Sequence, residues 1–216
     1  IVGCNRRVEL APAPQQVAQH HLGLRVFSIE FGGVLSQGQG IITLPALFDQ
    51  HRRQVVVGVD HSRHQFNRPA VVGFGAGRGR AFIAANLAAA FAQMGDRTLV
   101  IDANLRGPVQ HEFFRLPARH GLSTVLNGGD KTEAVERISY FGTLSVLPCG
   151  PPPPNPLELL SRPVFRRLLD EAEREYDVVV VDTPPAERGA DARAVAARAG
   201  AALLAVRRDA DRVRDL

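Results

Sequence analysis

A parallel α/β sheet with helices on both faces is the fold this sequence predicts, preceded by a poorly defined N-terminal segment. Three observations predict it. A glycine-rich turn, Gly73-Phe-Gly-Ala-Gly-Arg-Gly-Arg80, runs into the apolar stretch Phe82-Ile-Ala-Ala-Asn-Leu-Ala88. Two apolar runs end on acids, Leu99-Val-Ile-Asp102 and Val178-Val-Val-Val-Asp182. From Pro69 onward, strand-like runs alternate with helix-like ones, the pattern of parallel strands joined by helical crossovers.

The elements follow in order. In the uncertain segment 1–69, residues 25–31 alternate like a half-buried strand and residues 54–59 read as another, with Gly38-Gln-Gly40 breaking what lies between. Residues 70–216 form the α/β domain. Its first strand is 70–73, and a helix over 79–94 carries apolar Phe82, Ile83, Leu87 and Phe91 until Gly95-Asp96 ends it. The next strand is 98–101. Short helices are expected over 109–114 and 123–126, the second capped by Ser123. A strand at 144–147 leads into the stiff loop Pro151-Pro-Pro-Pro154. Pro163 opens a helix over 163–176. Residues 178–181 are apolar on both faces, as suits a central parallel strand. A helix at 191–198 and a strand at 201–206 complete the series. The last strand and helix usual in such folds are not there, so the domain reads as truncated at its C-terminus.

Composition narrows the function classes. Hydrophobic residues make up 45% of the 216, enough for a buried core. The net charge of +4 comes almost wholly from arginines interleaved with acids; no basic stripe carries aromatics, so nucleic acid is not an expected partner. Cys4 and Cys149 make no disulfide framework, and the histidines show no metal-ligand spacing. No apolar run approaches the roughly 20 residues that cross a bilayer. With no visible leader and Ile1 at the start, the chain reads as a cytoplasmic fragment without a membrane span.

The chemistry sits at the glycine turn. Wrapping a polyphosphate requires backbone N–H groups to approach it closely, and Gly75, Gly77 and Gly79 allow that. Arg78 and Arg80 add positive charge, and the helix starting through Ala81 and Phe82 adds its N-terminal end. This is the plan of a P-loop nucleotide site, but its G-x-x-x-x-G-K-[ST] string is broken three times. Phe74 replaces the first glycine, Arg80 the lysine and Ala81 the Ser/Thr, while the chain's only lysine is Lys131. An arginine fork pairs with phosphate but aims differently from an ammonium. Each lost charge-assisted contact costs about 1.5–3 kcal/mol if nothing replaces it. Binding tolerates such losses better than phosphoryl transfer does. Strand C-terminal ends border the crevice of a parallel sheet, so Asp102 and Asp182 should face the turn, to hold Mg²⁺ or to accept a proton. The plainer alternative is a glycine turn that only starts a helix, with acids that only cap loops.

Longer strings sharpen this reading: Phe91-Ala-Gln, Gly95-Asp-Arg-Thr-Leu-Val-Ile-Asp-Ala-Asn-Leu-Arg106, Gln110-His111 and Gly121-Leu-Ser123. Leu147-Pro148, Asn155-Pro-Leu-Glu-Leu-Leu-Ser161 and Tyr176-Asp-Val-Val-Val-Val-Asp-Thr-Pro-Pro185 continue them. Residues 70–206 thereby resemble the bacterial tyrosine kinases (BY-kinases) that control exopolysaccharide chain length, in particular the stand-alone chain-length-determinant type. The resemblance implies a P-loop NTPase-like fold that binds ATP and Mg²⁺. It implies a Walker A loop at 73–81, a Walker A′ strand at 99–106 and a Walker B strand at 178–182. Asp102 and Asp182 take the places of the metal-holding and catalytic acids, and Asn104 stands where the second Walker A′ acid belongs.

The family autophosphorylates a tyrosine-rich tail, whereas this chain has only Tyr140, in a loop, and Tyr176, expected to be packed. No Glu-x-x-Arg-x-x-Arg assembly motif occurs in the first 69 residues, which bears on the family's homo-oligomer. The implied function is a tyrosine (auto)kinase-like regulator of exopolysaccharide synthesis, held at the inner face of the membrane through a chain-length determinant or polysaccharide co-polymerase partner. The alternative is an inactive pseudokinase scaffold for that partner. A MinD/ParA-like ATPase is a third reading, but that kind places an extra lysine early in the loop, where this chain has Gly75.

Overall fold

The computed structural model describes residues 39–44, 55–60, 68–73 and 77–205. Two short strands, β1 (Gln39–Leu44) and β2 (Val55–Asp60), pair antiparallel, with Gln39 opposite Asp60. The expected strand at 54–59 is β2. Gly40, expected to break structure, instead sits inside β1, since a glycine backbone can still pair in a ladder. The strand expected at 25–31 lies outside the described residues.

The main sheet has six strands in the order β5-β6-β4-β7-β3-β8. In chain order these are β3 (Pro69–Gly73), β4 (Thr98–Asp102), β5 (Glu136–Arg137), β6 (Leu144–Leu147), β7 (Val178–Asp182) and β8 (Ala201–Ala205). All neighbouring pairs run parallel except β5 with β6. The expected parallel sheet is thus present, with one antiparallel pair added at its edge. Only a short turn separates β5 from β6, and a connection that short can join antiparallel strands alone.

Helices cover both faces. One is covered by α1 (Gly79–Gln93) with the short α2 (Gln110–Phe113), whereas α3 (Leu122–Leu126) and α4 (Lys131–Ala134) bury Leu122, Val125, Leu126 and Ala134 in the core of the opposite face. That opposite face also carries α5 (Pro156–Ser161), α6 (Pro163–Glu175) and α7 (Asp191–Ala199). Strand alternation divides the core accordingly. Leu99, Ile101, Val179 and Val181 pack with Phe165, Leu168 and Leu169 of α6. Val100 and Val180 pack with Ala84, Ala85, Leu87 and Ala88 of α1. In α6, the buried Phe165, Leu168, Leu169 and Ala172 recur at helical spacing, which gives that helix a single apolar stripe. The alanines of α1 let its backbone lie close against the strands.

Helix α3 departs from its expected start. Its N-cap is Gly121, not Ser123. The loop after β6 supplies acceptors, with the Leu122 and Ser123 amides donating to Pro148 O (2.7 Å) and Cys149 O (2.8 Å). Backbone carbonyls thus satisfy the orphan donors that a side-chain cap would otherwise serve. Gly121 permits this because a Cβ there would run into Gly150 N and Pro148 O. At the far end of the chain, Gly200 closes α7 in the left-handed conformation (φ 82°).

Candidate active site

Asp102 and Asp182 end adjacent parallel strands and stand opposite one another in the β4–β7 register. Each lies two residues beyond a valine of the α1-facing core, so alternation turns both carboxylates toward the first turn of α1. Both are fully buried. Arg80, in that first turn, is 6% exposed, and its Nε lies 3.4 Å from Asp182 Oδ1. That contact is an ion pair whose geometry falls short of a hydrogen bond, and Arg80 Nη1 meets no acceptor among the described residues. Gly73 allows β3 and β8 to approach closely, since a Cβ there would lie 2.9 Å from Ala205 O, while the Arg80 stem passes at an ordinary contact distance of 3.7 Å.

The carboxylates are held by donors. Asp102 Oδ1 accepts from the Asn104 amide (3.1 Å), and Oδ2 accepts from the amides of Val109 (3.2 Å) and Gln110 (3.0 Å). Gln110 was part of a matched string without an assigned role. Fully buried, it donates through Nε2 to both Asp182 Oδ2 and Ala81 O, each at 2.9 Å. It ties the two strand ends to the start of α1. The only sequence signal for this was a polar residue shortly after Asp102, where a loop residue is ordinarily solvated.

Electrostatics follow from burial. Desolvation, and then the neighbouring Asp182 charge, raise Asp102 well above the carboxylate range, to about 8. Desolvation raises Asp182 too, to about 6, against the attraction of Arg80. The same desolvation lowers Arg80, against the pull of Asp182. One guanidinium cannot neutralise two carboxylates in a low-dielectric site, so the pair retains protons more readily than free acids do.

The other sequence-predicted residues are placed as follows. Gly75 lies outside the described residues. Gly77 has φ 155°, a conformation that favours glycine, and a Cβ at Gly77 or Gly79 would meet nothing within 4 Å among the described residues. Arg78 is exposed, paired with Glu112, and lies 5.1 Å over the Phe113 ring. Phe82 packs edge-to-face on Phe113 at 6.0 Å. Ala81 is buried without a hydroxyl to offer. Asn104 donates from Nδ2 to Gly107 O at 2.6 Å, which fastens the loop after β4. Farther along that loop, Arg106 makes a two-pronged contact (3.0 and 3.3 Å) with the buried Asp191 at the start of α7.

Residues 74–76 of the glycine turn lie outside the described residues; beside it, the start of α1 and Arg80, whose Nη1 is unmet among the described residues, suit an anion such as a phosphate group. A divalent metal ion does not fit the carboxylates as they stand. Asp182 faces the guanidinium, Asp102 holds three amides, and no trio of His, Cys, Asp or Glu able to hold a metal occurs among the described residues.

The chain is similar to several known proteins. Residues 67–213 match the protein family described as "Cellulose biosynthesis protein BcsQ". The tyrosine-protein kinase YwqD of Bacillus subtilis is 42% identical over 130 residues, which are 60% of this chain and 55% of that protein. The kinase domain of the Escherichia coli tyrosine kinase ETK is 37% identical with a TM-score of 0.62, over 66% of this chain and 56% of that one. The VpsO kinase domain is 30% identical with a TM-score of 0.62, over 67% of this chain and 71% of that one. The chain spans about half the length of YwqD and 18% of the full-length E. coli kinase Etk. No helix among the described residues is long and apolar enough to cross a membrane.

Proposed function

From the premise that this chain belongs to the family described as cellulose biosynthesis protein BcsQ, and to the bacterial tyrosine kinases by its relatives, we propose that it is an ATP-binding, tyrosine-kinase-like regulator of exopolysaccharide synthesis with reduced phosphoryl transfer. The observation that carries this is the Asp102–Asp182 pair, in register at the strand ends and tied to the start of α1 through Arg80 and Gln110. The turn Gly75–Phe82 would hold the triphosphate through its amides, Arg78 and Arg80. In the transfer, a tyrosine oxygen bonds to the γ-phosphorus as its bond to the bridging oxygen breaks, releasing ADP. Asp102 would take the hydroxyl proton, with Asn104 and Asp182 orienting the site. Mg²⁺ at Asp102 and Asp182, the ion such a transfer would use to neutralise charge, requires Arg80 to withdraw.

The reading is tested with purified protein. ADP and ATP should bind in titration calorimetry, and any phosphotyrosine should increase in Ala81→Ser and vanish in Asp102→Ala. Absence of binding at about 1 mM nucleotide, an affinity weaker than about −4 kcal/mol, would sink it.

A second reading is a pseudokinase scaffold for a membrane chain-length determinant or co-polymerase, acting at the inner membrane face as a homo-oligomer. The missing hydroxyl at Ala81, the amide at Asn104 and the engaged carboxylates favour it. Under this reading an Asp102/Asp182 double variant restores polymer length to a deletion strain. Under the kinase reading it does not.

A further inference from the structure

We infer that the Arg80 guanidinium is the resident cation of this site, filling the place beside Asp182 that a divalent metal would need, so that nucleotide binds without metal. The nucleotide part rests on the ATP-binding reading above. The cation part stands on side-chain geometry alone.

A divalent ion with a strict oxygen shell needs free carboxylate or hydroxyl oxygens at one point. Here the carboxylate oxygens face donors, and the site's other buried oxygens without a hydrogen-bond partner among the described residues, Asn104 Oδ1 and Gln110 Oε1, are neutral amide oxygens that bring no charge to a cation. Asp182 Oδ1 faces Arg80 Nε at 3.4 Å, and its Oδ2 accepts the Gln110 amide at 2.9 Å. Both oxygens of Asp102 receive backbone N–H groups. Asn104 directs its Nδ2 at Gly107 O, and Ala81 has no oxygen on its side chain.

Arg80 is also built in, not merely folded over the site. Its side chain is only 4% exposed, and its Nε faces the fully buried Asp182 Oδ1 at 3.4 Å. Its Nη1 is buried without an acceptor among the described residues, beside a glycine turn and a helix N-terminus that favour anions. A phosphate oxygen arriving beside Nη1 would meet this donor. Arginine's planar fork can serve Asp182 and a phosphate together, which a single ammonium does less well. On this view the lysine-to-arginine and hydroxyl-to-methyl changes belong together, since the charge a metal would bring is supplied by Arg80.

The test has a metal arm and a nucleotide arm. In the first, Mn²⁺ is titrated into the whole chain and free ion is followed by electron paramagnetic resonance. Wild type should leave the signal undiminished. Arg80→Met should take up one ion, and Arg80→Met/Asp182→Asn should lose it again. Mn²⁺ uptake by wild type that disappears in Asp182→Asn overturns the assignment, as does a folded Arg80→Met that takes up none. If circular dichroism shows Arg80→Met unfolded, the wild-type and Asp182→Asn pair still decides.

In the second arm, ADP affinity should differ by less than about threefold between EDTA and excess Mg²⁺, and should fall by about tenfold or more in Arg80→Met. A loss of about tenfold on chelation overturns metal-independent binding. Absence of ADP binding in both buffers defeats the ATP-binding reading and the nucleotide half of this one, while the Mn²⁺ arm still decides the cation assignment.

Discussion

Gln110 shows how much of this site depends on one side chain. It donates to Ala81 O and Asp182 Oδ2 while its own amide serves Asp102, so it links three segments distant in sequence. Gln110→Ala should lower unfolding free energy in urea by about 1–3 kcal/mol, the cost of leaving buried acceptors unmet. A change no larger than that of an exposed control such as Arg119→Ala would show that its bonds are dispensable. Gly121 makes a different case, because its backbone is extended and carries no conformational strain. The obstacle is contact, since a methyl group would meet Gly150 N and Pro148 O. Gly121→Ala should therefore cost about 3 kcal/mol, at the upper end for overpacking. A melting temperature equal to that of wild type would count against the close approach.

Among the elements, the loop after β4 and the start of α7 are joined by Arg106 and Asp191. The carboxylate is almost wholly buried and the guanidinium is partly exposed. Removing the arginine strands a charge at the helix N-terminus, where the helix dipole recovers only part of the loss. Arg106→Ala should destabilise by about 1–3 kcal/mol and increase hydrogen exchange in Asp191–Ala199 more than in Pro163–Glu175. Uniform exchange across both helices would mean that the pair does not anchor α7. Elsewhere the helices follow simple rules. Pro163 opens α6, and Gly200 ends α7 in the conformation that glycine adopts most readily.

For the whole molecule, the buried acids connect stability to pH. Asp102 and Asp182 are both raised above the ordinary carboxylate value of 3.8, principally by burial, with Arg80 and Gln110 facing Asp182 and backbone amides facing Asp102. A raised folded-state value means that the folded chain holds protons the unfolded chain has released. Their contribution is complete below 3.8 and is lost as pH rises through about 6 and then about 8. The urea midpoint should fall across that window, and Asp102→Asn, which cannot titrate, should flatten the upper part of the fall. A midpoint that rises over the same window would contradict the burial argument. On the acid side the sign reverses for the exposed Asp177, whose bonds from Arg97 hold it low, at about 2. Its smaller contribution is lost as pH falls toward that value.

The α/β order, most strand positions from Pro69 onward and the location of the two acids were legible in the residues alone. Each is written locally, in an apolar run, a proline, a glycine turn or a terminal aspartate. Alternation along Val178–Asp182 was enough to set Asp182 on one face of its strand. It could not say which helix covers that face, or that Asp102 stands directly opposite. The two-residue edge strand and the carbonyl caps of α3 were equally hidden, because each takes its partner from a remote segment. So was the pairing of Arg80 with Asp182: the glycine turn and arginine were legible as an anion site, but only the packing of α1 over β7 brought that cation against the carboxylate. Local propensity is a property of neighbours in the chain. The charge balance of a buried site depends on neighbours in space, which only the folded chain brings together.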